Sequence, residues 1–541
     1  ALLNSVMCLI LLGSFRWRGT PQKLAGYAAL TIMFLSSCMI IGGQTDHLQN
    51  MSIEHQWSGQ NIIHYQNSIY GNIAVVRSGE QYTFFYDGVP SVTIPNPDIT
   101  FVEELVHFPM LCHPDPKEVL VIGNGAGGII GELLKYQVDR IEYAELDPYY
   151  LRVIDLYSTE LTRTELGDER VTVSYIDGRL LLRETSNTYD VVLIGFSDPQ
   201  TLQPNRLFTE EFFTLVRNSL NDDGILVVSS SGSLSYMGDE LRNLNSCILN
   251  TLKAVYPYVL IIPGDCKNLF LASSSEEITS IDHNLLGDRL AQRNISTDLV
   301  TPGYIAYKLE PRWLDYFMSS TENATEEINR DFRPIGVFYG YSYWNAQFSP
   351  SLRKICGWFE KVNISMILIV TASFVLLFLL LSHVFPGIIR ACVPVAVAST
   401  GFAGMVLNLA LIFAFQTLYG YVYYQIGILI TTFMIGVAAG SAFMTSRLER
   451  IRKDFAVLLG TEIAIITLSG LLTLTFLLFN SNISFPDRSF LLRAVFLILF
   501  FLIGALIGLQ FPLASKIHLK SCCSLSRTAG LIYSSDLLGG W

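Results

Sequence analysis

The chain has 541 residues, of which 50% are hydrophobic and 15% are charged, and its net charge is −11. Soluble domains usually contain about 25% charged residues, so the composition excludes a wholly soluble protein and predicts membrane-spanning segments. The acidic balance, with no basic stripe to neutralise phosphates, argues against nucleic acid as a partner. The nine cysteines contain no Cys-x-x-Cys pair, so no structural zinc, attached haem or other metal site is predicted.

The N-terminal region 1–43 contains two apolar stretches, at 1–14 and 24–43. We expect two transmembrane helices here, the first of them truncated, because a bilayer span takes about 20 residues. The sequence starts with Ala1 and stops at Trp541, inside an apolar stretch. We therefore expect the chain to be incomplete at one or both ends.

The region 44–360 is more polar and is predicted to be soluble. Its first part, 44–115, contains two alternating apolar runs at 71–76 and 82–86. Such runs around a glycine turn predict a β-hairpin, and hence a small N-terminal β subdomain. The last part, 281–360, is mixed and polar and is interpreted as a C-terminal extension and linker.

The central part, 116–280, is organised around a glycine-rich turn. An apolar run enters Gly123-Asn-Gly-Ala-Gly-Gly128, and a second apolar run ends at Glu145. This pattern predicts the first βαβ unit of a Rossmann-like α/β sheet, in which the glycines bring backbone N–H groups close to a ligand. The acid lies where such folds place a carboxylate on ribose hydroxyls. Further strands are predicted at 171–175, 191–194, 224–229, 258–262 and 268–272, the last two as a hairpin that closes the sheet.

The membrane domain, 361–541, is predicted to contain about five full helices and a truncated one. Lys and Arg fall in alternate loops, which the positive-inside rule assigns to the cytoplasm. We therefore predict an integral membrane protein whose soluble region faces outward. Glycines four apart, at 436 and 440 and at 504 and 508, predict closely packed helices. The spans are expected at 365–386, 391–416, 420–444, 455–479 and 489–513, with the truncated one from 529.

Two acids, Glu462 and Asp536, fall at membrane depth, where charged groups are costly and suggest function. Since each lies near an end of its span, helix pairing or an interfacial position is the alternative to transport. If the soluble region faces an oxidising compartment, a disulfide between Cys247 and Cys266 is also open.

An ordered series of motifs runs through the chain. The motifs are Tyr-Gly-Asn-Ile-Ala-Val at 70–75, Tyr-Asp-Gly at 86–88, the glycine turn, Glu-Leu-Asp at 145–147, Asp-Gly at 177–178, Ser-Asp-Pro at 197–199, Leu-Phe-Thr-Glu-Glu-Phe at 207–212, Phe-Met-Ile-Gly at 433–436 and Phe-Pro-Leu-Ala-Ser at 511–515. This series resembles the spermidine synthases (polyamine aminopropyltransferases). In particular, the chain is similar to bacterial membrane proteins that fuse a spermidine-synthase-like domain to several transmembrane helices. The resemblance implies a fold of the S-adenosylmethionine-methyltransferase type, inserted in a helical domain of the bacterial inner membrane.

The resemblance also implies a binding site for an S-adenosyl nucleoside, since the family transfers the aminopropyl group of decarboxylated S-adenosylmethionine to putrescine. Glu145 matches the acid that holds the ribose hydroxyls, and Asp177 matches the acid that accepts from the adenine amino group. The loop beside the nucleoside is matched by Gly123, Gly125, Gly127 and Gly128.

The catalytic half of the pattern departs from the family. The usual motif is an acid, two small residues and Asp-Pro, and its first acid is taken as the base that deprotonates the attacking amine. Here that position is Gly195, and glycine cannot accept a proton. Asp198 remains as the candidate catalytic residue, with a structural capping role as the alternative. Ala126 replaces a further acid near the substrate.

These departures predict a domain that keeps the fold but not the reaction. An outward location agrees, because S-adenosyl metabolites are cytoplasmic. The predicted role is an accessory, structural or ligand-binding subunit with protein partners in a membrane complex. Two alternatives stay open. One is an aminopropyltransferase or related S-adenosyl-dependent transferase with an altered acceptor, in which Asp87, Asp98 or Asp198 would have to supply the base. The other is a transporter with a nucleoside-like binding domain.

Overall fold

The computed structural model describes residues 20–359, 362–384, 391–419, 423–479, 489–521 and 525–540. The first predicted span, at 1–14, lies outside these residues. The chain divides into two compact units. One runs to Asn67 and includes Gly71–Thr93, and the other contains Ser68–Tyr70 and the chain from Ile94 onward.

The first unit contains two helices and a small antiparallel sheet. The predicted hairpin is confirmed, because residues 72–78 and 81–86 pair in antiparallel register. Gly79 in its turn has a φ of 64°, a left-handed conformation that glycine adopts readily. One strand is added on each side of the hairpin. The elements are helices α1 (Thr20–Ile41) and α2 (Gln44–Gln56) and strands β1 (Ile62–Asn67), β2 (Asn72–Ser78), β3 (Gln81–Tyr86) and β4 (Val89–Ile94).

The second unit contains a mixed seven-stranded sheet, and every strand predicted there is present. The strands are β5 (Glu118–Ile122), β6 (Arg140–Ala144), β7 (Val171–Ser174), β8 (Tyr189–Ile194), β9 (Leu220–Ser231), β10 (Tyr258–Ile262) and β11 (Lys267–Ser273). Their order is β10-β11-β9-β8-β5-β6-β7, with β5 to β9 parallel and the β10–β11 hairpin antiparallel at one edge. The strand order reverses between β5 and β8, which is where sheets of this kind bind ligands. The Rossmann-like prediction is therefore confirmed.

Helices pack against this sheet around an apolar core that includes Phe208, Phe212, Leu244 and Phe270. The helices of the soluble part of this unit are α3 (Ile99–Cys112), α4 (Ile129–Leu133), α5 (Pro148–Leu156), α6 (Glu160–Gly167), α7 (Gly178–Glu184), α8 (Leu202–Asn205), α9 (Glu210–Ser219), α10 (Asp239–Val255), α11 (His283–Gln292), α12 (Pro302–Lys308), α13 (Pro311–Thr321), α14 (Ile335–Phe348) and α15 (Pro350–Phe359), with a 3₁₀ turn at Glu276–Ser280.

The region after the sheet is largely helical and folds back onto α3. The buried Glu103 carboxylate accepts hydrogen bonds from the backbone N–H groups of residues 298, 299 and 300, at 2.7, 2.8 and 2.8 Å. A carboxylate that receives three N–H donors satisfies groups that would be costly to bury unpaired. Cys247 and Cys266, the pair that the sequence left open, are both free thiols.

Five helices in the described part of the chain are long and apolar enough to cross a membrane. The predicted span at 24–43 is not among these five: helix α1 covers its residues 24–41, and the apolar part of that helix is the shorter segment Leu30–Met39. The C-terminal helices are α16 (Ile364–Val384), α17 (Cys392–Tyr419), α18 (Tyr423–Arg447), α19 (Asp454–Phe479), α20 (Ser489–Ser521) and α21 (Leu525–Gly540), of which the first five are the candidate spans.

The two pairs of glycines pack against each other, which confirms the predicted close approach. A Cβ atom on Gly440 would lie under 3.0 Å from the Ala505 carbonyl oxygen, and one on Gly508 under 3.0 Å from that of Val437. Helices α18 and α20 therefore approach with their backbones in contact, as small residues permit. Nearby, Glu462 of α19 accepts hydrogen bonds from Thr400 of α17, at 3.2 Å, and from Gln510 of α20.

Candidate functional site

The glycine turn follows β5 at the point where the strand order reverses. Gly123, Gly127 and Gly128 have φ values of 71°, 90° and 127°, a region that side chains with a Cβ rarely occupy. A Cβ atom on Gly123 would also lie under 3.0 Å from the Phe196 ring, and one on Gly125 at 2.9 Å from the Tyr143 ring. The predicted glycines are thus required by the geometry of the turn and by its neighbours.

The turn directs its N–H groups at a buried carboxylate of the protein itself. Glu165 of α6 accepts from Gly127, Gly128 and Gly131, at 2.7, 2.6 and 2.9 Å. Burial raises the pKa of Glu165, and these N–H donors oppose the rise. The N–H groups of Gly127 and Gly128, which could have donated to an anionic ligand, are therefore already bonded within the protein. Sequence reasoning missed Glu165, which lies 38 residues beyond Gly127.

Glu145 ends β6 and lies at the same edge of the sheet. Its buried carboxylate accepts from the Tyr143 hydroxyl at 2.8 Å and from the Asp147 N–H at 3.2 Å. Burial is the main cause that raises the pKa of Glu145. A carboxylate offers about four acceptor positions, so this acid can still receive a hydroxyl donor from a ligand.

Asp177 begins α7 and is held by an arginine that the motif search did not find. Its carboxylate accepts from the N–H groups of Arg179 and Leu180 at 3.1 and 3.2 Å, as an N-cap does. Arg206 Nη2 donates to both of its oxygens, at 2.8 and 2.9 Å. A ligand amino group that binds here must share the carboxylate with Arg206.

Asp198 follows β8, and its two oxygens are surrounded by donors from β9 and β11. It accepts from the Ser230 hydroxyl at 3.1 Å, the Ser231 N–H at 2.9 Å and the Ser231 hydroxyl at 2.7 Å. Lys267 Nζ lies 3.3 Å away and completes an ion pair. A general base needs an acceptor position directed at the substrate. The four donors instead favour the structural alternative, in which Asp198 ties its loop to the sheet.

Gly195, the position of the missing base, is pressed against the glycine turn. Its N–H donates to the Ile122 carbonyl at 3.0 Å, and its own carbonyl accepts from Asn124 Nδ2 at 3.2 Å. A Cβ atom here would lie under 3.0 Å from the Gly123 carbonyl oxygen. This backbone therefore has no room for an acidic side chain at 195.

A loop from the C-terminal extension closes one side of this region. Arg179 forms a bidentate ion pair with Asp331, in which its Nη1 donates at 2.8 Å. The Thr209 hydroxyl donates to the same carboxylate at 2.8 Å. The adjacent Phe332 packs against the cluster of Leu411, Phe415, Phe496 and neighbouring side chains of the membrane helices. One short loop thus contacts both the wall beside Asp177 and the helical bundle.

Glu211 faces this loop. From its raised pKa we predict that the stability of the protein depends on pH. It accepts from the Asp331 N–H at 2.9 Å, and burial, followed by the charge of Asp331, raises its pKa from an ordinary 4.5 to about 7. Because the folded protein then binds this proton more tightly than the unfolded chain, we expect the free energy of unfolding to fall as pH rises from about 4.5 to about 7. Thermal unfolding across this range should show the slope in the wild type.

Two neighbouring acids provide the test variant and its control. Glu211→Gln should remove the slope, whereas Glu210→Gln should keep it, because Glu210 pairs with Arg330 in a half-exposed position. An equal slope in both variants would assign the effect to other groups.

Two groups of acids and histidines in the described residues have metal-like spacing: Glu103, His107 and Glu132, and His113, Asp190 and Asp223. In the first, His107 already bonds to Tyr136 at 2.8 Å and to Glu132 at 2.9 Å. In the second, Asp190 Oδ2 accepts from the N–H groups of residues 117 and 118. Hydrogen bonds within the protein account for both arrangements.

Residues 99–282 match the family model described as spermine/spermidine synthase domain. The polyamine aminopropyltransferase of Clostridium botulinum (strain Eklund 17B / Type B) is 33% identical over 204 residues, which cover 37% of this chain and 70% of that protein. Polyamine aminopropyltransferase 2 of Aquifex aeolicus (strain VF5) is 27% identical over 249 residues, 45% of this chain and 49% of that protein, so the match spans about half of that relative. A crystal structure of spermidine synthase in complex with the transition state analogue AdoDATO aligns with a TM-score of 0.42 and 23% identity, over 48% of this chain and 88% of that one.

Proposed function

Because the chain belongs to the spermine/spermidine synthase family, we propose that it is a membrane-anchored member that binds an S-adenosyl nucleoside and has lost aminopropyl transfer. In this role it serves as a ligand-binding or accessory subunit of a membrane complex. The proposal separates the two halves of the site. Residues for the nucleoside are retained, whereas a base for the amine is missing.

The observation that carries the proposal is the packing at Gly195. Transfer requires removal of a proton from an ammonium group, because only the free amine can attack carbon. The family position for that base lies against the Gly123 carbonyl, where a Cβ atom would clash. Asp198, the remaining acid, is bonded to Ser230, Ser231 and Lys267. Neither position offers a carboxylate to the amine.

The nucleoside half is supported by the glycine turn and by Glu145. The turn lies at the end of β5 beside the point where the strand order reverses, and Glu145 presents a buried acceptor just after β6. Asp177 offers a second acceptor, shared with Arg206. A ribose with two hydroxyls and a base with an amino group would match these acceptors. We expect 5′-methylthioadenosine and decarboxylated S-adenosylmethionine to bind.

Binding and transfer can be measured on the full chain in nanodiscs. We expect calorimetry to detect both nucleosides, and Glu145→Gln to weaken binding about 10- to 100-fold, since a hydrogen bond to a charged group contributes about 1.5–3 kcal/mol. Glu118→Gln is the matched control, because Glu118 pairs with Arg140 at the opposite end of the sheet. Incubation with both decarboxylated S-adenosylmethionine and putrescine should release no methylthioadenosine. Release by the wild-type protein would make it a transferase and end the proposal.

We also propose that the soluble region faces outward from the membrane. Phe332 packs near the end of α17 and the start of α20, whereas Lys516 and Lys520 pair with Asp454 near the opposite helix ends. Basic residues usually mark the cytoplasmic side, so the soluble region belongs on the other side.

The exposed thiol of Cys266 provides the test of orientation. A membrane-impermeant maleimide should label it in intact cells, and Cys266→Ser should remove that label. A cysteine introduced at Arg450, on the basic side, should react only after lysis. The reverse pattern would place the soluble region in the cytoplasm.

A further inference from the structure

Helix α14 has one face in the protein core and one face without a protein partner in the described structure. Tyr339 is buried, and its hydroxyl donates to the Thr325 hydroxyl oxygen at 2.9 Å. On the other face, Tyr341, Trp344 and Phe348 follow helical spacing and are 52%, 40% and 70% exposed. Large aromatic side chains in such a row are unusual on a surface that faces only water.

The next helix also exposes apolar side chains. In α15, Ile355, Trp358 and Phe359 are 50–60% exposed, while Arg353 lies on the opposite side of the helical wheel. This arrangement is typical of a helix that lies in a membrane interface. We call the six exposed side chains, three from each helix, the aromatic collar.

Two contacts hold α15 to the soluble region rather than leaving it as a free linker. Arg353 Nε donates to Glu240 Oε1 of α10 at 2.6 Å, and Cys356 is buried. The exposed aromatic face is therefore fixed in its orientation. It cannot turn inward to cover itself without breaking these contacts.

The aromatic collar directly precedes a candidate membrane span, which points to the membrane surface as its binding partner. Helix α16, the most apolar candidate span, begins at Ile364. The connection from Phe359 can extend at most about 18 Å, so α15 ends close to the membrane surface. Tyr and Trp are enriched at that surface because their rings are apolar and their N–H or O–H groups remain hydrated.

We propose that the aromatic collar binds the headgroup region of the bilayer that α16 crosses, and thereby sets the height and tilt of the soluble region above the membrane. The occupant is the phospholipid interface of the protein's own membrane. This contact is independent of nucleoside binding, so its failure and the failure of the proposed function can be distinguished.

The test uses the full chain in nanodiscs made with ordinary or with dibrominated phospholipids, whose bromine atoms quench nearby tryptophan. The fluorescence of Trp344 and of Trp358 is obtained by subtracting the emission of Trp344→Phe or Trp358→Phe from that of the wild type. This difference should be at least twofold smaller in brominated discs than in ordinary discs. Trp313 of α13, which lies outside the collar, is the control: the emission removed by Trp313→Phe should be the same in both discs.

Acrylamide, a quencher dissolved in the water, shows whether the collar tryptophans are in contact with water. Together with the bromolipid result it distinguishes a lipid cover from a protein cover. Collar tryptophans that bromolipid leaves unquenched would overturn the proposal, whether acrylamide reaches them, as in water, or is excluded, as under a protein partner or a second copy. Trp358→Tyr provides a second variant that keeps an interfacial aromatic residue. It should retain the melting temperature of the wild type while losing the same quenched emission.

Discussion

Gly195→Ala is expected to lower the stability of the soluble region by about 2–3 kcal/mol, within the usual range for an overpacked site. The cause is a methyl group placed against the Gly123 carbonyl oxygen, under 3.0 Å from the Cβ position. In a domain of this size the apparent melting temperature should fall by about 5–10 °C. Hydrogen exchange of the 123–128 amides should accelerate, because the turn must move to admit the side chain.

Gly167→Ala is the matched control for this effect. Gly167 ends α6, and an added Cβ there would meet no atom within 4 Å. Alanine at this site should leave stability unchanged or raise it by about 0.5–1 kcal/mol, because glycine is the more flexible residue in the unfolded chain. Equal losses in the two variants would show that Gly195 is not tightly packed.

The same packing predicts that Gly195→Asp does not create a transferase. Its carboxylate would enter only after the glycine turn shifts, which also disturbs the nucleoside pocket. With decarboxylated S-adenosylmethionine and putrescine both present, we expect no release of methylthioadenosine, and we expect weaker nucleoside binding than in wild type. A stable Gly195→Asp protein with transfer activity would contradict the described geometry, and would mean that the base alone had been lost.

Breaking the ion pair of Arg179 and Asp331 is expected to cost about 3–5 kcal/mol, as removal of one partner leaves a buried charge uncompensated. The two side chains are 3% and 8% exposed, and Thr209 and Glu211 also bond to residue 331. Asp331→Asn should therefore release the loop that carries Phe332. Chemical unfolding of the full chain, followed by tryptophan fluorescence, would measure the loss.

The neighbouring pair provides a control of the same kind. Arg330 and Glu210 are adjacent in sequence to Asp331 and Glu211, but are 40% and 30% exposed. Arg330→Met should cost less than about 1 kcal/mol, as exposed ion pairs do. The double variant Arg179→Met/Asp331→Leu should recover most of the stability lost in either single variant. Additive losses instead would show that the two residues act independently.

The loop also predicts a link between the membrane helices and the proposed nucleoside site. Arg179 Nη1 donates to the Arg206 carbonyl at 3.4 Å, and Arg206 holds Asp177. The Asp331→Asn protein should therefore bind nucleoside more weakly than wild type even where it remains folded. If Asp331→Asn kept the wild-type affinity for nucleoside, the ion pair of Arg179 and Asp331 would have only a structural role.

Elements with a local pattern were predictable from the sequence. Strands β5 to β11 contain short apolar or alternating runs bounded by turns. The glycines of the 123–128 turn are required by its backbone conformation, which neighbouring residues determine. The membrane spans and the glycine pairs at 436/440 and 504/508 follow from the length and spacing of apolar and small residues.

The electrostatics of the site were not predictable, because each partner comes from a distant part of the chain. Glu165 reaches the glycine turn from 38 residues away, Arg206 reaches Asp177 from 29, and Lys267 reaches Asp198 from 69. No spacing rule connects these positions, so a motif identifies the carboxylate but not the donors already bound to it.

The sequence alone determined that a Rossmann-like sheet is joined to a membrane domain, and that glycine stands at 195, where the family pattern has an acid. Both conclusions depend on residue identity and local order. Only the tertiary structure decided that the Gly123 carbonyl lies against this glycine, that donors from β9 and β11 bond to Asp198, and that the aromatic residues before α16 are exposed. Those features arise when segments far apart in sequence are brought together by folding, so their chemistry depends on three-dimensional contacts.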